Sequence, residues 1–171
     1  MTKDNCSKIY DDHSKEIYNF LFFRTHSSDI ANDITSETFF KFWKANCDKP
    51  EDYLKNARAF LYRLARNSLI DFYRKDSKKK TISIEASIEE ESVEIQIESD
   101  ENINQNQIEL EKKQIVLAAI KKLNPIYADV LIYHYIQGLN SQEISNIIHR
   151  AEPNTRVIIH RALKALKKAL K

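Results

Sequence analysis

Residues 56–75 read NARAFLYRLARNSLIDFYRK, and this stretch carries two patterns at once. Leu61, Leu64, Ala65, Ser68 and Phe72 recur at spacings of three and four, which lines one side of an α-helix with apolar or small groups. Around the rest of that helix stand Arg63, Arg66, Asn67, Arg74 and Lys75, with Tyr62 and Tyr73 among them. One side can enter a core while the other offers cations, an amide and aromatic rings. A polyanion with exposed bases requires that set: cations for phosphate, rings for stacking, an amide for base edges. An ordinary amphipathic surface helix with solvated charges looks the same, so the stretch alone does not decide between the two.

Composition narrows the choice. The 171 residues suit one ordinary domain or two small ones, and one glycine, three prolines and 30% charged residues point to an all-α chain. No apolar run approaches the roughly 20 residues of a membrane span, and the start MTKDNCSK is too polar for a signal peptide. Cys6 and Cys47 form no CxxC pair and have no histidine at ligand spacing, so both are expected as reduced thiols in a cytoplasmic protein.

The net charge of +2 conceals an uneven distribution. Residues 1–80 hold 16 Lys and Arg against 12 Asp and Glu; residues 81–111 hold none against 10; residues 112–171 hold 11 against 3. Two basic blocks thus flank an acidic one, as expected of two small helical domains, 1–80 and 112–171, joined by an acidic tether at 81–111. ISIEASIEE and VEIQIE inside the tether leave a short strand or a partner-binding segment open there.

Outward from the first stretch, Ile9 to about Arg24 predicts a helix with the stripe Ile9, Tyr10, His13, Ile17, Phe20 and Leu21. His13 and His26 read as packing or surface residues. Ser28 and Asp29 are candidate caps for a second helix running to about Asn46, with Ile34, Thr38, Phe42, Ala45, Phe39 and Trp43 inward. Asp33, Ser36 and Glu37 fall together on another side of it, either solvated or facing a basic partner helix. Asn46–Asp52 contains Pro50 and no period, so it reads as a loop.

A helix resumes near Ile108 with Ile115, Ala119 and Leu123, and Asn124–Pro125 restarts it as N-cap and first helical residue. The next helix, to about Gln137, has Val130, Leu131, His134 and Tyr135 in its apolar arc. Gly138, the sole glycine, suits the left-handed residue after a helix. Asn140 with Glu143 makes a capping box, and Leu139 with Ile144 the staple beside it. A short helix over Ser141–Ile148, a break at His149–Pro153 and a basic helix over Asn154–Leu170 follow. There Ile158, Ile159, Ala162, Leu163 and Leu166 point inward, and Arg156, His160, Lys164 and Lys167 outward. Such a pair is a helix-turn-helix, whose second helix enters the major groove by its N-terminal residues.

With these residues in view, the chain resembles an extracytoplasmic-function (ECF, group IV) sigma factor of the sigma-70 family. ANDITSETFFKFWK resembles the family's clamp-binding helix, NARAFLYRLARNSLIDFYRK its promoter-melting helix, and LNPIYADVLIYHYIQGLNSQEISNIIHRAEPNTRVIIHRALKAL its −35-reading domain. The resemblance implies core RNA polymerase as partner, through its β′ clamp and β flap, together with promoter DNA, and leaves an anti-sigma factor as a further one. It implies no cofactor, no metal, no catalytic residue and no membrane insertion. Asp33, Ser36 and Glu37 would face the clamp, although the family usually has Gln where Ser36 stands. Asn67 would line the pocket for a flipped −10 base, with Lys41, Arg63, Arg66 and Arg74 near the strand. Asn154, Arg156, Val157, His160 and Arg161 would face −35 DNA. His149, Arg150 and Ala151 depart from the family's usual Gly, apolar residue and Ser/Thr cap. Two other readings compete: a helix-turn-helix regulator that never joins polymerase, and an enzyme with a metal on Asp33, Glu37 and His13.

Overall fold

In a computed structural model, residues 3–46, 56–82 and 114–170 are described. Every regular element among them is helical. In order they are α1 (Lys3–Thr25), α2 (Ser28–Asn46), α3 (Ala57–Ile82), α4 (residues 114–121), α5 (Pro125–Leu131) with a π-helical continuation (Ile132–Ile136), α6 (Ser141–Ile148) and α7 (Glu152–Ala169). The loop expected at Asn46–Asp52 lies outside the described residues except for Asn46, and the acidic block 81–111 lies outside them except for the end of α3.

The chain divides into two compact units. In the first, α1 packs on α2 and α3, and α2 packs on α3. Its core joins Ile17, Phe20 and Leu21 of α1, Ile34, Phe39 and Phe42 of α2, and Leu61, Tyr62, Ala65 and Leu69 of α3. Burying each large side chain contributes about 1.5–3 kcal/mol, whereas an exposed ion pair gives about 0–1 kcal/mol. The apolar arcs therefore set how these helices cross. Between α1 and α2 the chain turns in two residues. His26 takes a left-handed φ of 54° and its N–H bonds the Phe22 carbonyl at 2.8 Å. The cap of α2 is Ser27, whose hydroxyl accepts from Ile30 N at 3.4 Å. The sequence had suggested Ser28 or Asp29, but both already lie in the first turn.

Two inward assignments change. Tyr62, expected beside the cations, is fully buried, with its ring edge-on to Phe20 at 5.8 Å. The reason is that α3 packs against two helices, so its buried arc is wider than one apolar stripe. Ala45 is exposed and Asn46 is buried in its place, its Nδ2 donating to the Phe42 carbonyl at 2.8 Å. The row 38, 42, 46 continues the inward face at the four-residue spacing.

In the second unit Asn124 caps α5 by accepting from Ile126 N at 3.1 Å, with Pro125 in the first turn. α5 packs on α7. The π-helical turn then adds a residue to the helical repeat. It brings Tyr133 wholly inside and leaves Tyr135, expected inward, 57% exposed. In α4, Ala119 is buried as expected, together with Leu117 and Ile120, while Ile115, also expected inward, is exposed. Gly138 has φ 66°, as the helix ending required, and Leu139 N bonds the Tyr133 carbonyl at 2.9 Å.

Candidate polymerase-binding and nucleic-acid interfaces

On α2 the chain gathers Asp33, Ser36 and Glu37 on one exposed stripe, because spacings of three and four return to one side of a helix. Phe40 continues that stripe three residues beyond Glu37 and is 62% exposed. The sequence reading passed over it because Phe39 beside it does enter the core. An acidic row ending in an exposed ring has the charge and the apolar area to receive a cationic partner with an apolar recess. Glu37 is not idle in this state: its Oε1 lies 2.6 Å from Lys41 Nζ. That ammonium also donates to Ser68 Oγ on α3 at 3.0 Å. Lys41, expected near a DNA strand, is thus engaged between α2 and α3.

On α3 the residues Arg63, Arg66, Asn67, Ile70, Tyr73 and Arg74 follow one another at three- and four-residue steps along a single side. Asn67, Ile70, Tyr73 and Arg74 are exposed, and Arg63 and Arg66 are half-buried. The Arg63 guanidinium sits over the Phe60 ring at 5.4 Å, which fixes it beside an aromatic surface. Arg74 lies 4.0 Å from Asp71, and Tyr73 donates its hydroxyl proton to the Arg24 carbonyl at 2.9 Å. The stripe offers an amide beside two cations, Arg63 and Arg66, and a further cation, Arg74, two turns on. Ile70 adds an apolar contact that the sequence reading missed.

Behind this stripe a polar cluster ties α3 to α1. Arg58 Nε donates to both Glu16 oxygens at 3.2 and 3.0 Å, Arg58 Nη2 donates to Oε2 at 2.8 Å, and His13 Nδ1 donates to Oε1 at 2.6 Å. Burial alone would raise the Glu16 pKa, but the hydrogen bonds from His13 and Arg58 outweigh it and hold this carboxyl below its ordinary value. Burial pushes the Tyr62 phenol up, so it stays protonated in the core. His13 is therefore a packing partner of Glu16, as a sequence reading of a surface or packing histidine implies.

The helix-turn-helix is built as its caps dictate. Asn140 Oδ1 accepts from Glu143 N at 2.9 Å and Glu143 Oε2 accepts from Asn140 N at 2.9 Å. Leu139 and Ile144 are both buried beside that box. At the other end of α6, His149 adopts the left-handed φ of 53° for which glycine is usual. α7 begins at Glu152, two residues before the sequence suggested, because Pro153 is tolerated in a first helical turn. Asn154, Arg156, Val157, His160 and Arg161 are all exposed, while Thr155 and Ala162 are buried. Arg156 is the engaged member. Its Nη2 and Nε donate to Glu152 Oε1 at 2.6 and 3.1 Å, and Ser141 Oγ donates to the same oxygen at 2.8 Å.

Residues 9–79 match the model of sigma-70 region 2, and residues 113–166 match that of sigma-70 region 4. The chain is 26% identical over 162 residues to the ECF RNA polymerase sigma factor SigM of Bacillus subtilis, covering 94% of this chain and 91% of that protein. It is 27% identical over 166 residues to the RNA polymerase sigma factor YlaC of Bacillus subtilis, covering 97% and 92%. Among solved structures, it is similar to the sigma factor RpoE of Bartonella quintana, crystallised with the anti-sigma factor NepR. The TM-score is 0.74 at 20% identity, covering 99% of this chain and 98% of that one. CnrH, solved with the cytosolic domain of CnrY, aligns with a TM-score of 0.68 at 18% identity, covering 99% and 89%. These likenesses show one fold. No helix among the described residues is long and apolar enough to cross a membrane. The two sigma-70 regions together take in well over half of the chain, which therefore belongs to the sigma-70 family, among the sigma factors of the extracytoplasmic-function type.

Proposed function

We propose that this chain is a transcription initiation factor of group IV that binds core RNA polymerase in the cytoplasm and directs it to promoters. The domain at 1–80 engages the β′ clamp through Asp33, Ser36 and Glu37 and captures the unpaired −10 strand along α3. Asn67 reads a flipped base, and Arg63, Arg66 and Arg74 neutralise phosphates around it. Flipping a base costs a few kcal/mol, which an amide and neighbouring apolar and aromatic groups offset. The domain at 112–171 meets the β flap and places α7 in the major groove of the −35 element. The acidic segment 81–111 tethers the two. An anti-sigma factor such as holds the Bartonella relative is a further partner in this reading.

The observation that carries the proposal is the union, in one chain, of region 2 with an exposed amide-and-cation stripe and region 4 with an exposed basic helix. Transcription from a randomised promoter library with core polymerase tests it. The chain should select promoters sharing one −10 and one −35 sequence, and core polymerase alone should select none. A chain that binds such DNA yet never co-purifies with core polymerase would instead be a helix-turn-helix regulator.

A further inference from the structure

The engaged state of Arg156 gives Glu152 a part that the −35 residues named above leave out. Glu152 opens α7, and Ser141 opens α6. One oxygen of Glu152 accepts from Ser141 Oγ at 2.8 Å, from Arg156 Nη2 at 2.6 Å and from Arg156 Nε at 3.1 Å. Ser141 Oγ also lies 3.4 Å from Arg156 Nε. Hydrogen bonds from Ser141 and from Arg156 hold the Glu152 carboxyl below its ordinary pKa, so it remains an anion near neutral pH. The side chain of Arg156 is 69% exposed and that of Glu152 30% exposed, so the arginine reaches past the carboxylate that holds it.

We propose that Glu152 is the positioning residue that aims Arg156 at the −35 element, so that base preference depends on a carboxylate that itself touches no base. The inference rests on α7 being the −35 reader. A guanidinium is a planar fork of five donors. Here the edge made by Nε and Nη2 is occupied by Glu152, which leaves the outer edge, Nη1 with the second Nη2 proton, turned away from the carboxylate. That outer edge still presents two parallel donors, enough for a bidentate contact with a guanine. An isolated surface pair would hold an arginine only weakly. This pair has a second anchor on another helix, so the fork's direction is tied to the crossing of α6 and α7. The carboxylate has a second consequence: it repels phosphate, and thereby lowers affinity for DNA of arbitrary sequence. Glu152 would raise discrimination while reducing overall attraction.

Holoenzyme assembled from core polymerase and the full chain tests this on promoters randomised at −35 with a fixed −10. The variants are Glu152→Ala, Glu152→Gln, Arg156→Ala and the double substitution Glu152→Ala with Arg156→Ala. Glu152→Ala should flatten preference by roughly three- to tenfold at the same base pair that Arg156→Ala flattens, a part of what a bidentate contact discriminates. Affinity for arbitrary DNA should hold or rise. Glu152→Gln, which keeps the acceptor, should restore most of the preference. Once Arg156 is absent, removing Glu152 should change base preference no further. Preference unaffected by Glu152→Ala overturns the inference, and so does an equal loss in the absence of Arg156. Arg156→Ala without effect at any −35 pair overturns this inference, and the reading of α7 falls with it only if alanine at Asn154, His160 and Arg161 also leaves −35 selection unchanged.

Discussion

The Lys41 ammonium on α2 donates to Ser68 Oγ on α3 at 3.0 Å, and Glu37 Oε1 takes the same ammonium at 2.6 Å. One cation therefore links the acidic stripe proposed for polymerase to the helix proposed for the −10 strand. Lys41→Ala should cost no more than about 1 kcal/mol of stability, because the pair is open to water. Unfolding in urea would measure it. A loss of several kcal/mol would mean that this link, and not the apolar core, sets the α2–α3 crossing.

Charge reversal on the acidic stripe should separate binding from folding. Asp33→Lys combined with Glu37→Lys should weaken association with core polymerase by roughly tenfold or more, since rim charges meeting like charge are penalised. The thermal midpoint should move little, because both side chains are exposed. Phe40→Ala, on the same stripe, should weaken association without altering its salt dependence. Fluorescence titration against core polymerase at several salt concentrations measures both variants' affinities, thermal melting measures the midpoint, and unchanged affinity in the double reversal would sink the assignment of this surface.

Asn67→Ala should change which −10 base is preferred and leave −35 preference alone. Its amide is exposed in the middle of the α3 stripe and has no part in the core. Losing one good base contact costs about 1–3 kcal/mol of discrimination. Sequencing transcripts from promoters randomised at −10 reads this directly. An unaltered −10 profile would make Asn67 a helix-surface residue only.

The Glu16–Arg58 pair should be stabilising near neutral pH and silent in acid. Arg58→Met takes the guanidinium from a mostly buried carboxylate and should cost about 2 kcal/mol, below the full penalty of a wholly buried pair. Glu16 has its folded pKa lowered, so its contribution is present above its ordinary value of 4.5 and is lost as pH falls through the folded value. The gap between wild type and Arg58→Met should therefore close as pH is lowered from about 7 to about 3. Melting curves across that range test it, and a constant gap would contradict the sign.

Gly138→Ala isolates a backbone effect. A Cβ at this position meets nothing within 4 Å, so no clash is created. Holding alanine at a φ of 66° costs about 1–2 kcal/mol, and the stiffer unfolded chain returns about 0.4–1 kcal/mol. The net loss should be about 1 kcal/mol, visible as a lower urea midpoint with an unchanged slope. A stabilised variant would show that the left-handed ending is not required.

Local signals settled the elements of this protein and the surfaces they offer. Asn124 with Pro125, Gly138, and Asn140 with Glu143 act within a few residues of themselves, so the boundaries of α5 and α6 were legible before any packing was known. The same holds for the exposed stripe of Asp33, Ser36 and Glu37 and for the outward residues of α7, because helical spacing alone assigns a side. Tertiary structure decided what depends on a second element. Tyr62 is buried because α3 has two neighbours, and Tyr135 faces out because a π-helical turn resets the period. Glu37 and Glu152 hold Lys41 and Arg156 from four residues away on the same helix, but the second partners, Ser68 and Ser141, 27 and 15 residues away, arrive only through packing. Periodicity states which way a side chain points from its own axis, and only the packed helices state what waits there.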